Sequence, residues 1–88
     1  MKVLIDRSFD RDVKKLPPSV QAKIKLAIED ILEASNLSTL KATKMEGAKN
    51  AFRIRVGDYR IGFYIENEVI VLSRALTRKE IYRFFPKK

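Results

Sequence analysis

Apolar residues recur with a helical period in the first half of the chain. After an opening strand predicted over KVLID, Phe9, Val13 and Leu16 fall at helical spacing, and Ser8 is expected to cap that helix. Two consecutive prolines then end it and begin the next helix. The second helix is predicted to run to about Ala34, with an apolar stripe made of Val20, Ile24, Ala27, Ile28, Ile31 and Leu32. We therefore expect an αα-hairpin with one apolar side.

Strand patterning replaces the helical period at position 52. Phe52, Ile54 and Val56 alternate with arginines, and the strand ends at Gly57-Asp58, a two-residue turn with glycine first. That order is typical of a type II′ β-hairpin. A hairpin closed at this turn pairs Val56 with Tyr59, Arg55 with Arg60, Ile54 with Ile61 and Arg53 with Gly62.

The rest of the chain completes the predicted fold. The segment SNLSTLKATK is read as a polar connection with one helical turn, and EVIVLS as a third strand after a turn near Asn67. TRKEIYRFF resumes helical spacing up to Pro86, and its Ile81, Phe84 and Phe85 are expected to dock on the core. Residues 1–88 thus predict a single α+β domain: a strand, a two-helix hairpin, a three-strand meander that forms one mainly antiparallel sheet with the first strand, and a short C-terminal helix.

The predicted hairpin gathers arginines on one of its faces. Arg53, Arg55 and Arg60 share that face with Gly62 and Tyr64, and directly opposed like charges in a sheet are unfavourable by up to roughly 1 kcal/mol. A solvated sheet face is one reading. An anion site is the other, because guanidinium groups suit phosphate and Gly62 would leave room for a ligand backbone.

The amino-acid composition excludes several kinds of catalytic and metal-binding group. The 88 residues contain no cysteine and no histidine, so disulfides, thiolate nucleophiles and the commonest metal ligand are absent. We accordingly expect no metal and no cofactor. The longest apolar run is VIVL and the start MKVLIDRSFD turns charged early, so neither a membrane span nor a secretory signal is predicted. A cytoplasmic location is expected.

The net charge of +8 is concentrated in two segments, residues 44–60 and 73–88. This uneven distribution favours a directional, polyanion-binding patch. Arg78 and Tyr82 stand four apart and share a face of a helix, which offers a guanidinium for phosphate and a ring for an unpaired base. Further candidate phosphate contacts in the basic segments are Lys44, Lys49, Arg74 and Arg83.

The stretch AFRIRVGDYRIGFYIENEVIVL followed by TRKEIYRFFP resembles the RelE branch of the RelE/ParE toxins of bacterial toxin–antitoxin systems. The order of elements agrees over nearly the whole chain, and LPPSVQAKIKLAIEDI is similar to the helix usual there. The resemblance implies a RelE-like fold and a small, metal-independent endoribonuclease. It further implies entry into the ribosomal A site, cleavage of messenger RNA, inhibition of translation and silencing by a cognate antitoxin.

Positions carried over from that resemblance define the expected catalytic residues, which are Arg55, Arg60, Arg78 and Tyr82, with Arg53 as a neighbouring phosphate ligand. Thr77 stands where many members have histidine, and Arg55 where some relatives have lysine. Since arginine hardly deprotonates in proteins, it is a poor general base. Glu46, just before the hairpin, is a weak candidate for that role.

Two alternatives remain open at this stage. One is a ParE-like protein that inhibits DNA gyrase on the same fold, and the other is a non-catalytic basic module that binds RNA or an acidic partner. The expected partners are a cognate antitoxin, the ribosomal A site and messenger RNA. The toxin–antitoxin complex is a candidate to bind operator DNA through the antitoxin.

Overall fold

The predicted order of helices and strands is confirmed, with one short strand added. The computed structural model describes residues 1–86, so Lys87 and Lys88 of the second basic segment lie outside the described residues. The elements are β1 (Lys2–Ile5), α1 (Arg7–Lys14), α2 (Pro18–Glu33), a 3₁₀ turn (Leu37–Leu40), β2 (Thr43–Lys44), β3 (Ala51–Val56), β4 (Tyr59–Glu66), β5 (Val69–Thr77) and α3 (Arg78–Phe84). No helix among these residues has the length and apolarity to cross a membrane.

All the strands belong to one sheet, in the order β1-β5-β4-β3-β2. β1 runs parallel to β5, and the remaining pairs are antiparallel. The β3–β4 hairpin has the predicted register throughout. Gly57 adopts a φ of 60° while Asp58 stays at negative φ, as a type II′ turn requires. β2 was not predicted, because two residues are too few to show an alternation.

The α1–α2 pair covers one face of the sheet and forms the main core. Phe9, Ile24 and Ile31 pack there against strand residues such as Ile61 and Phe63. Leu32, predicted on the apolar stripe, is instead 52% exposed, because it lies one helical position (about 100°) away from buried Ile31.

The prediction that Ser8 caps α1 is wrong. Asp6 is the cap residue, and its carboxylate accepts a hydrogen bond from the Arg7 amide. Ser8 lies inside the helix, where its hydroxyl donates to the carbonyl of Ser73 at 2.6 Å. Ser73 is the extra residue of a bulge in β5, so Ser8 ties α1 to the sheet.

α3 covers part of the opposite face and closes a second, smaller core. Ile81 and Phe85 are buried there with Ala51 and Met45. Two predictions fail in this region. Phe84 is 48% exposed and does not dock on the core. Gly62 does not leave open space, because the ring of Phe85 fills it: a Cβ at Gly62 would lie 2.7 Å from Phe85 Cδ2.

Candidate nucleic-acid interface

A cleft between the β2–β3 edge and α3 brings together residues from three distant parts of the sequence. It has a volume of about 620 Å³. The polar, charged and aromatic side chains that line it include Lys44, Glu46, Arg53, Tyr82 and Arg83. Basic and aromatic side chains predominate among them, and these are the residue types that nucleic-acid sites use for phosphates and bases.

Arg53 and Tyr82 are in direct contact inside this cleft. The Arg53 guanidinium carbon lies 5.0 Å from the centroid of the Tyr82 ring, within the range of a cation–π interaction. The other anchor of Arg53 is Met45, whose sulfur lies 3.3 Å from Nη1. Tyr82 is 59% exposed. The contact therefore orients a guanidinium and leaves a large part of an aromatic ring open to solvent.

The other predicted arginines of the hairpin lie nearer its turn. Arg55 and Arg60 are directly opposite each other across β3 and β4, as expected. Arg60 donates to the carbonyls of Gly57 and Tyr59 at 3.1 and 2.9 Å, which fixes its head group beside the turn. Arg78 begins α3 at the same end of the sheet, because its amide donates to the Asp58 carbonyl.

The predicted catalytic residues thus lie in two places. Tyr82 is in the cleft with Arg53, whereas Arg55, Arg60 and Arg78 lie nearer the turn of the hairpin. Arg55 also borders a separate hollow of about 510 Å³ between the end of α2 and the edge of β3. The edge is open there because β2 pairs only as far along β3 as Arg53.

Arg74 has a partner that the sequence did not indicate. Its Nε and Nη2 donate to the Asp12 carboxylate at 2.8 and 3.2 Å, and the same carboxylate accepts the Ala75 amide. The hydrogen bond that Arg74 donates to Asp12 raises the pKa of Arg74 above its ordinary value. This pair joins α1 to β5, so part of the Arg74 donor capacity serves the fold. The only sequence signal for Asp12 was its place on the polar side of α1.

The remaining candidates are less enclosed. Lys44 lines the cleft and donates from Nζ to the Ala48 carbonyl at 3.3 Å. Lys49 is exposed on the loop between β2 and β3 and is not among the residues lining the cleft. Within the part of the chain that the structure describes, no three acidic side chains come together as a metal-binding group.

The chain is similar to toxins of type II toxin–antitoxin systems over most of its length. The family described as the ParE toxin of type II toxin–antitoxin systems, parDE, matches residues 3–82. Toxin RelE3 of Methanocaldococcus jannaschii is 42% identical over 88 residues, which are 98% of this chain and 100% of that protein.

Solved structures give the same result. A RelB–RelE antitoxin–toxin complex from Methanococcus jannaschii aligns with a TM-score of 0.75 and 39% identity, over 94% of this chain and 99% of that one. The RelBE2 toxin–antitoxin complex of Mycobacterium tuberculosis aligns with a TM-score of 0.70 and 29% identity, over 88% and 96%. This chain therefore belongs to the RelE/ParE superfamily of type II toxin–antitoxin toxins, and within it to the RelE branch.

Proposed function

We propose that this toxin is an endoribonuclease that cuts messenger RNA in the ribosomal A site and so inhibits translation. The observation that carries the proposal is the contact between Arg53 and Tyr82. A guanidinium and a half-exposed ring, 5.0 Å apart in a basic cleft, can hold a phosphate and stack an unpaired base of the same strand.

The reaction we assign is attack of a ribose 2′-hydroxyl on the adjacent phosphate. A bond forms between O2′ and phosphorus, the bond from phosphorus to O5′ breaks, and the products are a 2′,3′-cyclic phosphate and a 5′-hydroxyl. The proton of the 2′-hydroxyl passes to a base, and the departing O5′ takes one up. Fixed donors that face the negative charge developing on the phosphate lower the barrier most, and arginine supplies them without a metal.

We assign a separate role to each arginine. Arg55 and Arg60, opposite each other on the hairpin, are assigned to the scissile phosphate, and Arg53 to its neighbour. Arg78, beside the turn, is assigned to the charge on the leaving oxygen. Tyr82 stacks on or orients a base. Glu46, a carboxylate in the lining of the cleft, is the candidate general base.

Antitoxin binding is the second part of the proposal. The related structures from Methanococcus jannaschii and Mycobacterium tuberculosis are complexes of a toxin with its antitoxin. A net charge of +8, concentrated in residues 44–60 and 73–88 of the sequence, favours an acidic peptide as the partner of this chain. We propose that a cognate antitoxin silences the toxin, and that the complex binds operator DNA through the antitoxin.

The test is a toeprint on a defined messenger RNA in a purified translation system with ribosomes. Wild type should cut inside the A-site codon. Arg53→Ala and Tyr82→Ala should lose roughly 100-fold in cleavage rate, because both residues position the strand and a misplacement of about 1 Å can cost that much. Tyr82→Phe should keep most of the activity if stacking is the role of the ring. Arg11→Ala is the matched control, since Arg11 is exposed on α1.

Intact message and normal translation with the wild type would contradict the nuclease proposal. The second candidate would then be inhibition of DNA gyrase, which the match of residues 3–82 to the ParE family favours. A gyrase supercoiling assay with the same variants would test it. In the cleavage assay, an excess of the cognate antitoxin should restore full-length product, and failure to do so would contradict the proposed silencing.

A further inference from the structure

The end of α3 carries a second exposed aromatic ring, on the side of the helix away from Tyr82. Phe84 is 48% exposed, whereas Ile81 and Phe85, its neighbours in the predicted apolar set, are buried at 0% and 3%. A single exposed apolar side chain is common on protein surfaces and does not by itself indicate a site. What distinguishes Phe84 is the set of groups around its ring.

Two guanidinium groups face Phe84. The Arg74 guanidinium carbon lies 6.0 Å from the ring centroid and that of Arg83 lies 5.7 Å from it. Arg74 is held in this position by its two hydrogen bonds to Asp12, so its placement beside the ring is fixed by the fold. The planar faces of a guanidinium and of an aromatic ring are the two surfaces on which unpaired nucleobases stack.

There is also space for a ligand next to the ring. Phe84 lines two hollows, one of about 270 Å³ that it shares with Tyr59 and Lys15, and one of about 310 Å³ that it shares with Ser8 and Tyr64. Arg74 lines both hollows. A flat ligand that enters either one therefore meets the phenyl ring and a cation together.

Helix geometry places this surface in series with the cleft. Successive residues of an α-helix are about 100° apart around its axis, so Tyr82, Arg83 and Phe84 fan out over about 200° of the exposed side of α3. Arg83 lies between the two rings, lines the cleft beside Tyr82, and also faces Phe84. The order of ring, cation and ring along the helix matches the order of base, phosphate and base along a single strand of nucleic acid.

We propose that Phe84, with Arg74 and Arg83, is a second stacking site for an unpaired nucleobase. The C-terminal helix then holds two bases of one RNA strand on its two flanks, with Arg83 at a phosphate between them. This inference rests on the proposed function for its choice of RNA. It adds a substrate-binding site, because the stacking assigned to the reaction itself uses Tyr82 alone.

The experiment measures binding of the isolated protein to a single-stranded RNA of about seven nucleotides, a length within the usual range of such sites. Every ribose carries a 2′-O-methyl group, so the strand cannot be cleaved. A series of oligonucleotides has one abasic site moved along the strand, and each is bound to wild type, Phe84→Leu and Tyr82→Leu. Leucine keeps an apolar side chain and removes the aromatic face.

Phe84→Leu should weaken binding of the intact RNA roughly 5- to 150-fold, the usual effect of losing one stacked base. Removing the base at one position should weaken binding by wild type but should not weaken binding by Phe84→Leu any further. Removing the base at a different position should weaken binding by wild type but not by Tyr82→Leu. Phe84→Tyr should bind like wild type, and the thermal midpoint of Phe84→Leu should stay close to that of wild type, since the ring is half exposed.

Two results would overturn the second site: wild-type affinity in Phe84→Leu, or an equal cost of every abasic site in wild type and variant. Absence of RNA binding by the wild type at low salt would overturn it as well. The toeprint decides the proposed function separately. If one abasic position depends on Phe84 but the wild type does not cleave message on ribosomes, the nuclease proposal is wrong and the stacking site stands. If the wild type cleaves message but no abasic position depends on Phe84, the stacking site is wrong and the nuclease proposal stands.

Discussion

Substituting Gly62 by alanine should destabilise the protein by displacing Phe85. An added Cβ would lie 2.7, 2.8 and 2.9 Å from three ring carbons of Phe85, distances that real Cβ contacts do not show. The ring has little room to retreat, because it is 3% exposed and packs on Tyr64 with a centroid separation of 5.0 Å. Gly62 lies at negative φ, so the effect is steric and not a backbone penalty.

The magnitude follows from two opposing terms. Overpacking a core typically costs about 1–3 kcal/mol. Replacing glycine by alanine returns roughly 0.4–1 kcal/mol through the smaller entropy of the unfolded chain. The free energy of unfolding of Gly62→Ala should therefore fall by about 1–2 kcal/mol. For a domain of this size that is a decrease of roughly 5–15 °C in thermal midpoint.

Urea and thermal denaturation of four proteins test this reasoning: wild type, Gly62→Ala, Phe85→Ala and the double variant. Alanine at position 85 lacks the Cγ, Cδ2 and Cε2 carbons that the new methyl group would meet. The Gly62→Ala substitution should therefore cost at least about 0.5 kcal/mol less in the Phe85→Ala background, a coupling of the size expected for residues in contact. Additive costs, or a Gly62→Ala protein as stable as wild type, would refute the steric account.

Two further outcomes concern polar contacts. Asp12→Ala should lower the free energy of unfolding, measured by urea titration, by about 2–4 kcal/mol, because it leaves the part-buried Arg74 unpaired. Asp10→Ala on the same helix is the control, since it removes only an exposed pair and should cost less than about 0.5 kcal/mol. Equal costs would contradict the assigned role. Thr77 and Glu80 form a capping box at the start of α3, in which hydrogen bonds from the Thr77 hydroxyl and amide lower the pKa of the Glu80 carboxylate. The box therefore stabilises α3 at pH values above the ordinary carboxyl pKa of 4.5, and this stabilisation is lost as the pH falls through the lowered pKa. Amide hydrogen exchange should show α3 losing protection in acid in wild type, and Glu80→Gln should lack that acid-dependent step; an unchanged step in the variant would assign it to another carboxylate.

The sequence predicted the hairpin to the residue because everything that sets its register is local. The two-residue turn with glycine first and the alternation around Phe52, Ile54 and Val56 leave one pairing that buries the apolar face, since a slip of one residue would expose it. By contrast, β2 and the Arg74–Asp12 pair depend on contacts between distant segments. Neither leaves a period or a motif in the sequence.

The errors around α3 have a single physical cause. Helical spacing places positions 81, 84 and 85 on one face, so the sequence predicted all three side chains in the core. The helix ends at Phe84, and Phe85 is already extended, with φ −138° and ψ 139°. That change of backbone directs the Phe85 ring into the gap over Gly62 and leaves Phe84 at the surface. Periodicity fails there because the helix stops one residue before the pattern does.

The end of α3 at Phe84 also determines which residues hold the candidate site in place. α3 has seven residues, too few to be stable as an isolated helix in water. Its position therefore depends on its capping box and on two buried side chains, Ile81 within the helix and Phe85 just after it. Tyr82 and Phe84 occupy the intervening exposed positions, so their rings are held in place by the buried residues on either side. The glycine that admits Phe85 is consequently as important to the geometry of the cleft as the residues that line it.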